Sequence, residues 1–423
     1  MVKTIGHLPN VTYLLAYDRD VVWKALEGSI DREGPRFAEK IVQQDLELPK
    51  PSRRALISLL EENIAFLPAP PEGSMRWFHI VRYGIFRWVR SPRDAVRLGN
   101  AVKFSWPALE GEVDPHDLFA MEGLKLFDTS AFNWLRDNRD LLFAEGIYQM
   151  ARDDVKKAAV EKLKLGIPER VRTQVLEVVC AVFPQVGKWA WDKPHAGGES
   201  HVEIVKRRGV ATEAGYDNYF ALYPSENVVP KSVVDEVMDN LDDADVLERT
   251  VRAYLNKVND QGESMIAGLL DELHFRFVGR DAAKPTPAAL DALFRVGEEV
   301  TSLDGPHQAF SVPPRAKVWF LIKEMLEHWG PEAAGGHLLR AFDGMPGAAF
   351  GADVYVSCGR EIGVFESDSR QTQLIERSDF DALGARLLPK IVEGAKHGTL
   401  KSAPYYYNII RAWVHLGDVQ DVR

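Results

Sequence analysis

Asp18 is the residue of this sequence with the clearest position for chemistry. It closes LPNVTYLLAYD, a nearly continuous apolar run opened by Pro9 and Asn10 that is typical of a strand buried on both faces. In open α/β sheets, ligands bind just outside the carboxyl ends of the strands, so a carboxylate there is a candidate site residue. Two structural alternatives stay open: a cap on the helix that follows, and a surface ion pair with Arg19.

A second group of candidate residues is basic and aromatic and lies between Met75 and Arg97. Arginines that alternate with aromatic side chains can bind single-stranded nucleic acid by stacking and by charge. The aromatic residues recur at near-helical spacing, however, which favours an amphipathic core helix with an arginine-rich outer face. The residues concerned are Arg76, Arg82, Arg87, Arg90, Arg93 and Arg97, and Trp77, Phe78, Tyr83, Phe86 and Trp88.

Histidine and cysteine supply no clear metal or nucleophile site. The eleven histidines are dispersed, and neither HxxxH nor HExxH occurs. His195 and His201 stand near acidic residues in a Gly- and Pro-rich stretch, which a flexible loop explains better than a metal centre. Cys180 and Cys358 are too few for a disulfide framework, and we expect two reduced, buried thiols.

The composition is that of an ordinary globular protein. The 423 residues are 46% hydrophobic and 27% charged, and they carry a formal net charge of −10. This acidic balance argues against a protein that wraps nucleic acid. The N-terminus lacks the apolar segment of a signal peptide, and no apolar run reaches the roughly 18 residues of a membrane helix. We therefore expect a cytoplasmic protein without a transmembrane segment, built from about two to three domains.

The elements that must position these residues change character along the chain. A second strand is predicted over Ile41–Leu48, and helical patterns dominate from Met75 onward. Gly351–Cys358 is the one late segment with the composition of a strand. Helix starts are predicted at Ser52, Pro92 and Asp114-Pro115, and further helices over Ser232–Phe277, Pro287–Ser302, Pro314–Trp329 and Phe380–Val414.

Several of these segments together resemble the KAP family of P-loop NTPases. VTYLLAYDRDVV, a helix and then EKIVQQDLELP are similar to the family's strand after Walker B, its helix and its last core strand. SPRDAVRLGNAV (Ser91–Val102) resembles the family's helix start, with Pro-Arg and a following asparagine. Asp117–Leu142 resembles the helical segment behind it, and YDNYFALYPSENVVP (Tyr216–Pro230) resembles a recurring feature of bacterial members. The resemblance covers residues 8–142 and is looser beyond them.

The resemblance implies a mainly α fold class. A remnant of a doubly wound parallel α/β P-loop core is expected at the N-terminus, followed by a large helical region that relays the nucleotide state. The expected domains are residues 1–70, the C-terminal part of the KAP core, and residues 71–183, a helical lid-like domain. Residues 184–210, rich in Gly, Pro and charge, are predicted as a linker or exposed loop, and residues 211–423 as a helical effector region.

The same resemblance gives roles to three charged residues. Asp18 corresponds to a sensor-like residue that orients the attacking water or contacts the γ-phosphate. Arg93, at a helix start in the lid-like domain, is the sensor-2-like candidate, because a guanidinium can stabilise phosphoryl charge; the alternative is an interdomain ion pair. Lys40, which with Arg36 precedes the last core strand, is the candidate trans-acting cation, and its alternative is a solvated pair with Glu39.

The motifs that would hold ATP and Mg²⁺ are missing from the sequence. A P-loop needs GxxxxGK[ST], because the backbone must approach the phosphates and the last residue must bind Mg²⁺. No such string occurs, and Val186–Trp189, the nearest one, has the wrong context. ATP and Mg²⁺ are therefore cofactors by resemblance alone. We expect either an ATPase whose phosphate-binding half lies upstream of Met1, or a non-enzymatic helical protein-interaction module that has lost catalysis.

The missing core strands have a structural consequence. A parallel strand is buried between neighbours, so residues 9–18 would form an unpaired apolar edge. We expect a protein partner or self-association through this N-terminal strand, or else poor solubility. Nucleic acid is not an expected partner, and the chain alone is not expected to hydrolyse ATP.

Overall fold

The computed structural model is mainly helical, as predicted. It divides the chain into two compact units, Met1–Ala55 and Leu56–Arg423. Within the described ranges it contains helices and turns, and no strand beyond one isolated bridge between Val258 and Ser264. None of the helices described is long and apolar enough to cross a membrane. The structure describes residues 12–29, 42, 44–143, 153–191, 199–223, 225–259, 264–279, 281–303, 312–366, 372–402 and 406–417.

The first unit contains helix α1 (Arg19–Ser29). The strands predicted over residues 9–18 and 41–48 are not formed in the parts of them that the structure describes. A strand exists only through hydrogen bonds to a neighbouring strand, and none of the described segments offers one. The apolar run before α1 is correspondingly uncovered, and the side chain of Leu14 is 97% exposed.

The first hydrophobic core of the second unit is built by side chains from Leu56 to Tyr219. A π-helix, His79–Ile85, joins two of its short helices, and a 3-10 turn, Arg139–Leu141, follows another. Its helices are α2 (Arg53–Asn63), α3 (Met75–Phe78), α4 (Phe86–Trp88), α5 (Pro92–Leu109), α6 (Pro115–Phe127), α7 (Thr129–Asp137), α8 (Asp153–Gly166), α9 (Glu169–Val182), α10 (Pro184–Ala190), α11 (His201–Lys206) and α12 (Glu213–Ala221).

Residues 184–210 contribute to this first core. They include α10 and α11, and the side chains of Val186, Ile204 and Val210 are buried. Pro184 starts α10, where a proline is tolerated because the first N–H of a helix has no intrahelical partner. The Pro and Gly content that suggested a linker thus coexists with short helices in the described part of this stretch.

The second core collects side chains from Val229 to Ala412. Both cysteines are buried and free, Cys180 in the first core and Cys358 in the second. A 3-10 turn, Thr399–Ser402, precedes the last helix. The helices are α13 (Lys231–Asp239), α14 (Ala244–Leu255), α15 (Ile266–Phe277), α16 (Pro287–Ser302), α17 (Pro314–Trp329), α18 (Pro331–Asp343), α19 (Ala349–Glu361), α20 (Arg377–Lys396) and α21 (Tyr406–Leu416).

Gly351–Cys358, which had the composition of a strand, lies inside α19. The segment is buried along nearly its whole length. A helix buried on all sides carries apolar residues without a 3.6-residue period, so a short apolar run there cannot be told from a buried strand. The strand prediction for this segment is wrong for that reason.

Candidate functional site

Asp18 caps α1. Its Oδ1 accepts a hydrogen bond from the backbone N–H of Val21 at 3.1 Å, and the side chain is exposed. In the same unit Arg19 pairs with Asp45 at 3.6 Å. The helix cap is the role that the described contacts give to Asp18, and its sensor-like role stays a prediction. Lys40 lies outside the described residues.

Arg93 occupies the first turn of α5, directly after Pro92. A capping box fixes this helix start: Ser91 Oγ accepts from the N–H of Asp94 at 3.2 Å, and Asp94 Oδ2 accepts from the N–H of Ser91 at 3.0 Å. The guanidinium of Arg93 is exposed and has no ion-pair or hydrogen-bond partner among the residues described. Asp18 lies in the first unit and Arg93 in the second.

Arg93 begins an exposed stripe along one face of α5. Arg97, Asn100 and Phe104 follow at steps of four, three and four residues, and at 3.6 residues per turn such side chains lie above one another. All four are exposed, and the ring of Phe104 is 81% exposed. We name these four residues the α5 stripe. Two guanidinium groups in line with an uncovered phenylalanine are typical of a contact surface.

Two aromatic residues of the predicted amphipathic core helix, Phe78 and Tyr83, are 42% and 38% exposed, so its aromatic face is only partly buried. Of the arginines predicted for its outer face, all but one are exposed. Arg76 is the exception, because only 7% of its side chain is exposed. It stands on α3, where it meets carboxylates from other segments. The exposed members are Arg82, Arg87, Arg90, Arg93 and Arg97.

Arg76 belongs to a buried charge cluster with Asp117 at its centre. Asp117 is fully buried; its Oδ1 accepts from Arg76 Nη1 at 2.5 Å, and its Oδ2 accepts from Arg207 Nη1 at 2.5 Å. The backbone N–H of Val210 donates to the same Oδ2 at 2.9 Å. The cluster consists of Arg76, Asp114, Asp117, Glu199 and Arg207.

Asp114 and Glu199 complete the charge balance. Asp114 accepts from Arg76 Nη2 at 3.2 and 3.3 Å, and Glu199 accepts from Arg207 Nε at 2.9 Å. Burial alone would raise the pKa of Asp114, but Arg76 and Arg207 more than offset it, so the pKa lies below its usual value. Burial alone would lower the pKa of Arg207, but the negative charges of Asp117, Asp114 and Glu199 outweigh it and raise the pKa.

This cluster can stabilise the fold, but it offers no free carboxylate for catalysis. It ties α3, the start of α6 and the turn after α11 together through charge-assisted hydrogen bonds. Each carboxylate already has a guanidinium partner, so none is a free base. Within the described ranges no three His, Cys, Asp or Glu side chains come together as a metal site.

The sequence carries a signal for this cluster, namely two carboxylates within a largely apolar helical segment. The residues from His116 to Leu124 on α6 are all buried, although the segment includes Asp117 and Glu122. A charge on a helix that is buried all round must be paired, so both carboxylates implied partners elsewhere in the chain. Glu122 pairs with Lys125 on the same helix at 3.4 Å, and from outside the helix it accepts hydrogen bonds from the hydroxyls of Tyr219 and Ser105, each at 3.2 Å.

The YDNYF segment (Tyr216–Phe220) is a packing motif. The hydroxyl of Tyr216 donates to the carbonyl oxygen of Arg136 at 2.7 Å. Asp217 accepts two hydrogen bonds from Arg139, each at 3.0 Å. The segment thus fastens α12 to the end of α7, and its contacts are structural.

The buried side chain of His116 should make the stability of the fold depend on pH. Burial lowers its pKa, and Asp114 offsets the change only in part, whereas the unfolded chain keeps a value near 6.5. The unfolded state therefore takes up the proton first, so stability is complete above about pH 6.5 and declines as the pH falls towards the folded pKa. Between pH 7 and 5, we expect the unfolding free energy of the wild type to fall more steeply than that of His116→Gln. The difference is at most about 1.4 kcal/mol per pH unit, measured by urea unfolding.

The matched control is His397→Gln, because His397 is exposed at the end of α20. This variant should keep the pH slope of the wild type. Equal slopes for the wild type and His116→Gln would show that His116 does not titrate differently in the folded state.

Comparison with known proteins finds similarity to a known family in the N-terminal part of the chain. A model described as the KAP family P-loop domain matches residues 1–104, which confirms the resemblance in that segment. Over 142 residues the chain is 25% identical to a phage T7 exclusion protein of Escherichia coli strain K12. The aligned part is 32% of this chain and 19% of that protein, so the chain spans about a fifth of the length of this relative. No solved structure matches the chain significantly.

Proposed function

We propose that this chain, whose residues 1–104 match the KAP family P-loop domain, works in an ATP-driven switch of the signalling or phage-exclusion type. The family match and the similarity to a phage T7 exclusion protein support this proposal. In it, residues 1–104 respond to the nucleotide, and the helical remainder passes that response to a partner.

The position of Arg93 is the observation on which the proposal rests. It lies inside the matched segment, at a helix start held by the Ser91 and Asp94 capping box, and its exposed guanidinium has no partner among the described residues. A guanidinium that is exposed at a fixed helix start can bind a phosphoryl group through two parallel hydrogen bonds. We therefore assign to Arg93 the sensor-2-like contact with the nucleotide.

The chain's own residues do not make a complete site for ATP and Mg²⁺. The sequence has no GxxxxGK[ST] string, and Asp18 already accepts a hydrogen bond as the cap of α1. Asp18 as a sensor and Lys40 as a trans-acting cation remain parts of the proposal. We propose that the 423 residues alone do not hydrolyse ATP and that Arg93 acts where a phosphate-binding loop is supplied to it.

Changing Arg93 to Ala tests this assignment. We expect the protein isolated from its own cells to hydrolyse ATP, and Arg93→Ala to lower kcat by about 10²-fold or more, since arginines on phosphoryl groups contribute about 10³–10⁵. The recombinant 423-residue chain should show no turnover above a blank. Because Arg93 is exposed, its replacement should change the unfolding free energy by less than about 0.5 kcal/mol. Phosphate release and intact mass, compared with 47.5 kDa, are the measurements.

The control is Arg249→Ala, because Arg249 is an exposed arginine on α14, far along the chain from the matched segment. It should leave turnover unchanged. Turnover by the isolated protein that is insensitive to Arg93→Ala would refute the assignment of Arg93. Absence of turnover from both preparations would refute the ATP-driven switch.

The second candidate function is a non-enzymatic interaction module, and the uncovered ring of Phe104 favours it. In that case the α5 stripe contacts a partner protein, and neither preparation hydrolyses ATP. Capture of a partner that is lost in Phe104→Ser, without a change in turnover, would distinguish this function from the first.

A further inference from the structure

The buried helix α19 carries a polar stripe that its packing does not require. Asp353, Ser357 and Arg360 recur at steps of four and three residues, so they share one face of the helix. Most of the remaining side chains of α19 are buried. Asp353 is buried as well, whereas Ser357 and Arg360 are half-buried, so this face of α19 remains partly open to solvent.

The stripe lines a cavity of about 230 Å³ that α17 and α21 also border. Arg315 of α17 and Asn408 of α21 add polar groups, while Trp319 and Phe350 supply apolar surface. Cavities that hold drug-sized ligands measure roughly 300–1,000 Å³. This one therefore suits a small molecule or a single functional group of a larger one.

The two carboxylates of the cavity are already neutralised. Asp353 accepts from Arg315 Nη1 at 3.1 Å and from Asn408 Nδ2 at 2.5 Å. Glu361 accepts from Lys323 Nζ at 2.6 Å. Neither acid is left as an uncompensated charge that would repel an anion.

Arg360 adds a positive charge to the cavity that neither of these two carboxylates balances. It borders the cavity and has no ion-pair partner within the described ranges. Burial and the positive charge of Arg411 lower its pKa, and the pull of Asp353 does not reverse the change. The guanidinium of Arg411 lies 5.0 Å over the ring of Phe365, and it likewise has no carboxylate partner in the described part of the chain. An anion in the cavity beside Arg360 would offset this repulsion.

We propose that this cavity binds a small oxyanion, either a phosphate group or a carboxylate, with Arg360 as the principal contact and Arg411 as the second cation. The planar guanidinium offers two parallel N–H donors that match both oxyanions. Ser357, one turn from Arg360, adds a hydroxyl donor. The site lies in the second core, outside residues 1–104, so it is independent of the function proposed for the matched segment.

The test is titration calorimetry of the full chain with inorganic phosphate in one arm and succinate in the other. We expect the wild type to bind at least one of them with a Kd in the millimolar range or below, and Arg360→Gln to raise that Kd at least tenfold. The arm with the lower Kd identifies the oxyanion as phosphate or carboxylate. Because Trp319 lines the cavity, binding should also change tryptophan fluorescence, and Trp319→Phe should remove that change while binding persists.

Arg249→Gln is the control, because Arg249 is an exposed arginine on α14, a helix that contributes to the same core, and it does not line the cavity. This variant should keep the affinity of the wild type. If Arg360→Gln does not fold, Arg411→Gln replaces it, since loss of the second cation should also raise the Kd. Equal affinity in the wild type and the arginine variant, or no binding of either anion up to about 10 mM, would overturn the proposal.

Discussion

Replacing Asp117 by asparagine is expected to lower the unfolding free energy by about 3–5 kcal/mol, the range for a buried ion pair that loses one partner. Asparagine keeps the shape of the side chain but removes the charge that faces Arg76 and Arg207. It also brings an amino group to a position where the hydrogen-bond partners of the carboxylate, including the N–H of Val210, are donors. Water cannot replace the lost charge, because Asp117 is 0% exposed. Urea unfolding followed by circular dichroism measures the loss.

The control for this prediction is Asp137→Asn. Asp137 also pairs with an arginine, Arg136, at 3.1 Å, but its side chain is 62% exposed. Solvent screens such a pair, so the expected change is below about 0.5 kcal/mol. If Asp117→Asn proved as stable as the wild type, the remaining acids of the cluster, Asp114 and Glu199, would have to balance both guanidinium groups without it.

Helices with strong local signals could be predicted from the sequence. The ranges Pro287–Ser302 and Pro314–Trp329 agree with the prediction at both ends. Ser52 Oγ accepts the N–H of Ala55 at 3.2 Å, as a capping residue should, and Pro92 and Pro115 each begin a helix. Capping residues and N-terminal prolines act within one turn, so their effect is readable without knowing the rest of the fold.

Features that depend on distant partners could not be predicted. The near-helical spacing of the aromatic residues puts Arg76 on an outer face, yet its carboxylate partners come from residues 38, 41 and 123 positions away. The cavity at Arg360 and Asn408 joins segments that carry no shared motif. In both cases the deciding interaction is non-local, and hydrophobic periodicity carries no information about it.

The candidate site residues show the same division. Asp18 had a helix cap as one of its open alternatives, and the structure supplies that contact because it needs only Val21, three residues on. The position of Arg93 at a helix start followed from Pro92 next to it. Its nucleotide contact rests on the family resemblance and stays a prediction, since no described residue bears on it.

Replacing Gly215 by alanine is expected to lower the unfolding free energy by about 3 kcal/mol, the upper part of the usual range for overpacked cores. A Cβ at this position would lie 2.2 Å from the carbonyl oxygen of Gly209, a backbone atom that no rotamer change can remove. That oxygen also accepts hydrogen bonds from the N–H and the hydroxyl of Thr212, at 3.1 and 2.9 Å, so moving it breaks the cap of α12. Urea unfolding of the purified variant measures the loss.

Gly336→Ala is the matched control and should change the stability in the opposite direction. Gly336 is exposed in the interior of α18, and an added Cβ there meets nothing within 4 Å. Alanine in an open helical position should raise the unfolding free energy by roughly 0.5–1 kcal/mol, because it restricts the unfolded chain. The two variants add the same methyl group, so opposite signs isolate the contact with Gly209. A Gly215→Ala protein as stable as the wild type would mean that the turn before α12 can move without breaking the bond from Val210 to Asp117.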